Sequence, residues 1–328
     1  MSVGAGARAA AVRWVAVLID PGHRLGDSWF YVAPDGVVHA FYLRCPDDVP
    51  RHTAWDIAHA TSRDLEHWTL HGLVLRRGAD HEWDGRCLAT GSVLATDEGY
   101  LMAYTARWDE PGVATGLATS PDLFRWTKDP AGPATRPGAG YVTDRPWSGR
   151  PPTHWRDPHL RRAPSGRLQQ LITAARADAP DDASGAVAVA ERGDDGTWTV
   201  GAPLPVEGAT REIECPQVLE VDGRWFLVFS TWPHLCSDEV RAEHGTRLRP
   251  GTYAMAGEGP DGPFRLLRPE PIVAADHPVQ PYAGQVLAIA DGHVLIGTVW
   301  REDGPDQLCD PIPVIRDGDG LISVTRSA

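Results

Sequence analysis

Short, largely apolar runs punctuate this chain, each opened by a glycine turn. The pattern recurs five times: Asp35-Gly36 before Val37–Tyr42, Glu98-Gly99 before Tyr100–Tyr104, Ser165-Gly166 before Arg167–Ile172, Asp222-Gly223 before Arg224–Phe229, and Asp291-Gly292 before His293–Gly297. A short apolar run bounded by turn residues predicts a buried strand. Successive turn glycines lie 63, 67, 57 and 69 residues apart, so five units of about 64 residues account for nearly all 328. In the first unit a short strand (Trp29 to Ala33) turns at the glycine and returns as a longer one (Val37 to Arg44). No stretch sustains a 3.6-residue apolar period, so helices should be scarce.

A second repeat supplies the outer strands. Ala60-Thr61-Ser62-Arg63-Asp64-Leu65-Glu66-His67-Trp68-Thr69 matches Ala118-Thr119-Ser120-Pro121-Asp122-Leu123-Phe124-Arg125-Trp126-Thr127 at an offset of 58. Weaker copies occur at Val189-Ala190-Glu191 followed by Trp198-Thr199, and at Met255-Ala256-Gly257 followed by Phe264. Ser-x-Asp-Leu reads as the turn between third and fourth strands, with the following aromatic packed between neighbouring sheets. The expected fold is all-β: a five-bladed β-propeller, each blade a four-stranded antiparallel sheet, forming one domain over residues 1–328. The apolar runs Trp14–Ile19 and Leu321–Val324 are expected to complete the last sheet and close the ring, leaving no long edge unpaired.

Composition narrows the partners. Gly (34) and Pro (29) together suit many tight turns. A net charge of −13 argues against nucleic acid or an anionic membrane and is compatible with a small neutral carbohydrate. Thirteen tryptophans leave some free to stack on the apolar face of a sugar ring. Five cysteines without CxxC spacing support neither a disulfide framework nor a metal cluster, so no metal or other cofactor is expected and a reducing compartment is. Arg13 splits the N-terminal apolar residues, and the remaining run is too short for a signal peptide or a membrane span. A cytoplasmic location is the expectation.

Nine residues before each turn glycine stand Asp27, Thr90, Asp157, Glu214 and Ala283. Each precedes a strand, and in a ring of blades that strand lies nearest the axis. The three acids should therefore meet at one mouth of the central channel. Mutual repulsion there raises the pKa of one of them, setting an acid beside a base. Glycosidic bond cleavage uses that pair. Taken singly, an Asp at such a position is a turn residue bonding its own backbone, which is the reading for Asp35, Asp222 and Asp291.

At these residues the chain resembles the five-bladed propeller glycosidases of glycoside hydrolase families 32 and 68, and more distantly family 43. Gly26-Asp27-Ser28-Trp29 resembles a levansucrase nucleophile segment, and Trp155-Arg156-Asp157-Pro158-His159 an Arg-Asp-Pro motif shared by both families. Glu212-Ile213-Glu214-Cys215-Pro216 resembles both a Glu-Ile-Glu and a Glu-Cys-Pro segment, and the run from His59 to Trp68 is similar to an invertase segment. The resemblance implies a retaining double displacement on a β-fructofuranosyl unit, with hydrolysis favoured over polymer synthesis. In it Asp27 is the nucleophile, Glu214 the acid/base, and Asp157 the residue that binds ring hydroxyls and stabilises the transition state. Arg156 holds a ring hydroxyl or orients the acids. Thr90 and Tyr282 line the pocket, while Trp29, Trp83 and Tyr282 are stacking platforms or ordinary packing. His23 and His154 flank two of the acids as hydrogen-bonding supports.

The chain departs from the invertase pattern where Gly26 replaces Asn and Ser28-Trp29-Phe30 replaces Pro-Asn-Gly. The β-sandwich that follows family 32 propellers is not expected here. Two rivals remain: an inverting arabinofuranosidase or xylosidase on the same fold, and a propeller that only binds carbohydrate.

Overall fold

In the computed structural model, which describes residues 18–51, 53–106, 112–143, 154–302 and 304–324, five sheets follow one another along the chain. Blade I comprises β1 (His23–Val32), β2 (Val38–Pro46), β3 (Asp56–Ser62) and β4 (Thr69–Leu75). Blade II comprises β5 (Leu88–Thr96), β6 (Gly99–Ala106), β7 (Ala114–Ser120) and β8 (Thr127–Lys128). Blade III comprises β9 (Trp155–Arg162), β10 (Leu168–Ala175), β11 (Gly185–Arg192) and β12 (Trp198–Val200). Blade IV comprises β13 (Glu214–Val221), β14 (Arg224–Thr231), β15 (Gly251–Gly257) and β16 (Phe264–Arg265). Blade V comprises β17 (Tyr282–Ile289), β18 (Gly292–Val299), β20 (Ile312–Asp317) and β21 (Gly320–Ser323), with the short β19 (Gln307–Leu308) also paired to β18. All strand pairs are antiparallel, and α1 (Asp238–His244) is the one α-helix among the described residues.

The repeats fold by local chemistry. All five turn glycines have positive φ, from 75° to 126°, a region open to glycine at no steric cost. The two Ser-x-Asp-Leu turns match bond for bond. Ser62 Oγ accepts from Leu65 N and Ser120 Oγ from Leu123 N, both at 2.8 Å. Asp64 Oδ1 caps Glu66 N and His67 N as Asp122 Oδ1 caps Phe124 N and Arg125 N. Trp68 and Trp126 then donate their indole N–H to the carbonyls of Leu65 and Leu123. Trp126 reaches Phe41 of blade I edge-on at 5.7 Å, so the aromatic fills the seam between blades.

Apolar clusters lie in these seams. One joins blades I, IV and V through Leu25, Phe226 and Leu295; another joins I and II through Trp29, Phe41 and Met102; a third joins III and IV through Leu171, Phe229 and Tyr253. Blades packed face to face bury both faces of each inner strand, so only its end opens on the channel. Inner strands meet in the order β1, β5, β9, β13, β17 and back to β1. Closure is polar as well: Asp306 of blade V accepts from Arg51 at 2.6 and 2.7 Å and from Leu25 N at 3.3 Å. Residues Leu321 to Ser323 form the outermost strand of blade V, as the pattern predicts. Trp14 to Val17 of the other apolar run lie outside the described residues; the Leu18 carbonyl accepts from Leu308 N at 3.1 Å. No described helix is long and apolar enough to cross a membrane.

Candidate active site

Every inner strand carries a register break at the same level. The shifts fall between Leu25 and Ser28, Ala89 and Gly91, Glu214 and Gln217, and Tyr282 and Gln285, and opposite Ile172 in blade III. Three of the bulged residues have positive φ without being glycine: Asp157 (54°), Cys215 (52°) and Ala283 (50°). Bulges of this kind re-aim side chains, and such backbone is costly unless its surroundings impose it. Hydroxyls from the preceding blade help impose it. Thr105 Oγ1 accepts from Asp157 N at 2.8 Å, Thr173 donates to the Ile213 carbonyl at 2.8 Å, Thr252 Oγ1 accepts from Gly284 N at 3.1 Å, and Thr298 donates to the Gly26 carbonyl at 2.7 Å.

The bulges correct the nine-residue register. Hairpin loops between first and second strands hold five residues in blades I and III, between Val32 and Val38 and between Arg162 and Leu168. They hold two residues in the other blades, as between Val221 and Arg224. Counting back from the glycine therefore does not reach equivalent positions. Glu214 pairs with Ser230 as Arg156 pairs with Thr173 and Tyr282 with Thr298, so Cys215 is the counterpart of Asp157. Glu214 is the last paired residue before its bulge, Asp157 the first bulged residue, and Asp27 the second. The acids converge because all three lie in or beside a bulge at the channel mouth.

Asp27 is half-buried; its Oδ2 accepts from Thr90 Oγ1 at 2.5 Å and lies 4.0 Å from the Cys215 thiol. Asp157 is buried, its Oδ2 accepting from Cys215 N at 3.1 Å and Thr173 Oγ1 at 3.2 Å, with Arg156 Nε at 3.4 Å. Arg156 Nη2 donates to Glu214 Oε1 at 2.7 Å and to Glu212 Oε2. Tyr282 donates its hydroxyl to Glu214 Oε2. His154 Nδ1 stands 3.2 Å from Glu212 Oε1.

Burial sets the proton affinities. It raises Asp27 to about 6, helped by the Asp157 charge and opposed by the Thr90 hydrogen bond and Arg156. Glu214 is raised to about 7 by burial and the Glu212 charge, against Arg156 and the Tyr282 hydroxyl. Burial also raises Asp157. In Glu212 burial works the same way, but Arg156 and His154 overcome it and hold the carboxyl below its usual range. Glu214 is therefore the carboxyl best placed to carry a proton at neutral pH, while Glu212 keeps Arg156 company as an anion. Cys215 is raised well above the usual thiol range by burial and the nearby carboxylates. Asp27, Asp157 and Cys215 each offer a ligand atom within 4.8 Å of the others.

Of the expected residues, Thr90, Arg156 and Tyr282 bond the acids directly, and His154 reaches them through Glu212; Thr173, which the sequence did not single out, bonds Asp157 Oδ2. Two stacking platforms do not. Trp29 is completely buried and lies parallel to Phe41 in the seam between blades I and II. Trp83 stacks on Tyr104 at 6.2 Å and covers Gly116 of the third strand of blade II, away from the inner strands. His23 bonds Arg44 and the Pro21 carbonyl and lies 3.3 Å from Asp20, rather than meeting Asp27. Gly26 is explained by space: a Cβ there would sit 2.8 Å from Leu43 Cβ. Glu212 received no role from the sequence, although Glu-x-Glu in extended chain puts both carboxyls on one face. Trp232 and Trp300, half-buried beside Tyr282, had no sequence signal beyond their type. All five cysteines are buried and unpaired with one another.

Among solved structures, the fold is shared with sucrose-6-phosphate hydrolase from Lactobacillus gasseri (TM-score 0.73, 19% identity, 95% of this chain and 63% of that one). It is also shared with inulosucrase from Halalkalicoccus jeotgali bound to kestose (0.70, 21%, 96% and 92%). Bacillus subtilis levansucrase gives 0.71 at 15% identity, covering 95% and 88%. No curated protein sequence matches significantly. The chain thus spans about 63% of the length of the first of these. The model of the glycosyl hydrolases family 32 N-terminal domain matches residues 27–305, opening on Asp27 and containing Asp157 and Glu214, and the chain belongs to that family.

Proposed function

We propose that the chain is a retaining glycoside hydrolase that releases a terminal β-fructofuranosyl unit from sucrose or a fructan-type oligosaccharide. The observation that carries this reading is the meeting of Asp27, Asp157 and Glu214 at one channel mouth, in a chain whose family match begins at the first of them. Among the described residues Asp27 Oδ1 has no protein partner, so one carboxylate oxygen is free to attack the anomeric carbon. Glu214 gives its proton to the leaving oxygen as the glycosidic bond breaks, and a fructosyl ester of Asp27 forms. Water then attacks the same carbon, yields its proton to the Glu214 carboxylate, and expels Asp27. Asp157 binds through one oxygen to Cys215 N and Thr173, leaving Oδ1 for ring hydroxyls and for the positive charge that develops on the ring. Arg156 orients Glu214 and Asp157 together.

The test is a screen against sucrose, inulin, levan and aryl arabinofuranosides, with product anomers followed by NMR. The expected first product is β-fructofuranose. Initial appearance of the inverted anomer would replace the double displacement with a single one. Turnover confined to arabinofuranosides would replace the sugar.

A further inference from the structure

Tyr282 presents its hydroxyl to Glu214 and its ring to two tryptophans. The Tyr282 centroid lies 5.4 Å from Trp232 and 5.6 Å from Trp300, each pair tilted by 39°. With Cys215 and Ala283 these rings form a small apolar cluster separate from the seams between blades. Both tryptophans are half-buried, unlike Trp29, Trp55 and Trp155, which are no more than 1% exposed. Their positions explain the difference. Trp232 follows the last residue of β14 and Trp300 the last of β18, two residues beyond Ser230 and Thr298, the partners of Glu214 and Tyr282. Both rings therefore stand where the second strands end at the channel mouth. The corresponding residue of blade III, two beyond Thr173, is Ala175. Among the described residues the aromatic wall belongs to blades IV and V.

Around Asp27 the neighbours are Thr90, Asp157 and the thiol of Cys215, the residue through which the aromatic cluster borders it. An acid that protonates a leaving oxygen must lie on the leaving-group side, and a nucleophile must approach from the other face of the ring. We infer that Trp232, Tyr282 and Trp300 form the leaving-group subsite, which recognises a ring with an apolar face, pyranosyl or aryl, by stacking rather than through a charged clamp. This rests on the assignment of Glu214 as the acid in the proposed function. Large rigid rings supply contact area at little entropic cost, and the wall's one hydroxyl is spent on Glu214.

The experiment compares kcat/KM for sucrose, p-nitrophenyl β-fructofuranoside and methyl β-fructofuranoside in wild type, Trp232→Ala and Trp300→Ala, with Trp232→Phe as the conservative variant. The Ala variants should lose about 10-fold on the two ring-bearing substrates while methyl fructoside changes by less than about threefold. Trp232→Phe should recover most of the loss. Equal losses on all three substrates, or none on any, would overturn the subsite. Thermal unfolding of each variant checks that the fold persists. If wild type turns over no fructoside, the proposed function falls instead, and the wall is judged by tryptophan fluorescence of Asp27→Asn titrated with phenyl arabinofuranoside. Quenching abolished by Trp232→Ala and Trp300→Ala supports the wall; quenching unchanged in both overturns it.

Discussion

The two sides of this site are built from the same repeated strand and bulge, yet they hold their carboxyls differently. Asp27 has one strong partner, the Thr90 hydroxyl, and an oxygen left open. Glu214 has both oxygens engaged, one by Arg156 and one by Tyr282, behind an aromatic wall. Burial raises both groups, to about 6 and about 7. The contrast teaches that a propeller can give two carboxyls different environments on one scaffold by varying what the adjacent blade offers.

The largest break in the comparison is Asp27→Asn. Turnover should fall by about four orders of magnitude on every substrate, because no leaving group compensates for a lost nucleophile. The same change should stabilise the fold. Asp27 is raised above its unfolded value of 3.8, so ionising it costs folding energy. That cost is absent below pH 4, grows as pH rises to about 6 and stays constant above, on the order of 3 kcal/mol. Asp27→Asn should therefore raise Tm by a few degrees at pH 7 and leave it unchanged at pH 4, measured by calorimetry. Glu214→Gln comes next: about a thousandfold loss on sucrose but far less on p-nitrophenyl fructoside, whose leaving group needs little protonation. Equal losses on both would deny Glu214 the proton.

The fold was legible because its signals are local. A glycine with φ of 75° to 126° and a Ser-Asp pair capping its own turn need no distant partner. The acids were legible from their motifs, and Arg156, Thr90 and Tyr282 fell where expected. Register was hidden, since the turn glycine stands inside the five-residue loops but inside or just after the two-residue ones. Trp29 misled for a related reason: adjacency to Asp27 suggested a platform, but a strand body between two packed blades is buried on both faces. Aromatics that open on the channel stand just past a strand end, as Trp232 and Trp300 do. Glu212 was visible as a letter in a motif, while its role depends on Arg156 and His154, 56 and 58 residues away.

The smallest effects sharpen the comparison most, because they move the two groups separately. Under the proposed mechanism activity requires Asp27 ionised, so it should rise with pH through about 6, and Glu214 protonated, so it should fall through about 7. The Thr90 hydrogen bond lowers Asp27, and removing it in Thr90→Val should move the acidic limb upward and narrow the profile. The Tyr282 hydrogen bond lowers Glu214, and removing it in Tyr282→Phe should move the alkaline limb upward and widen the profile. Each shift should be about half a pH unit or more in kcat/KM, with the other limb in place. A Thr90→Val profile that shifts on its alkaline limb would exchange the two assignments, making Asp27 the proton donor and Glu214 the group that must be ionised.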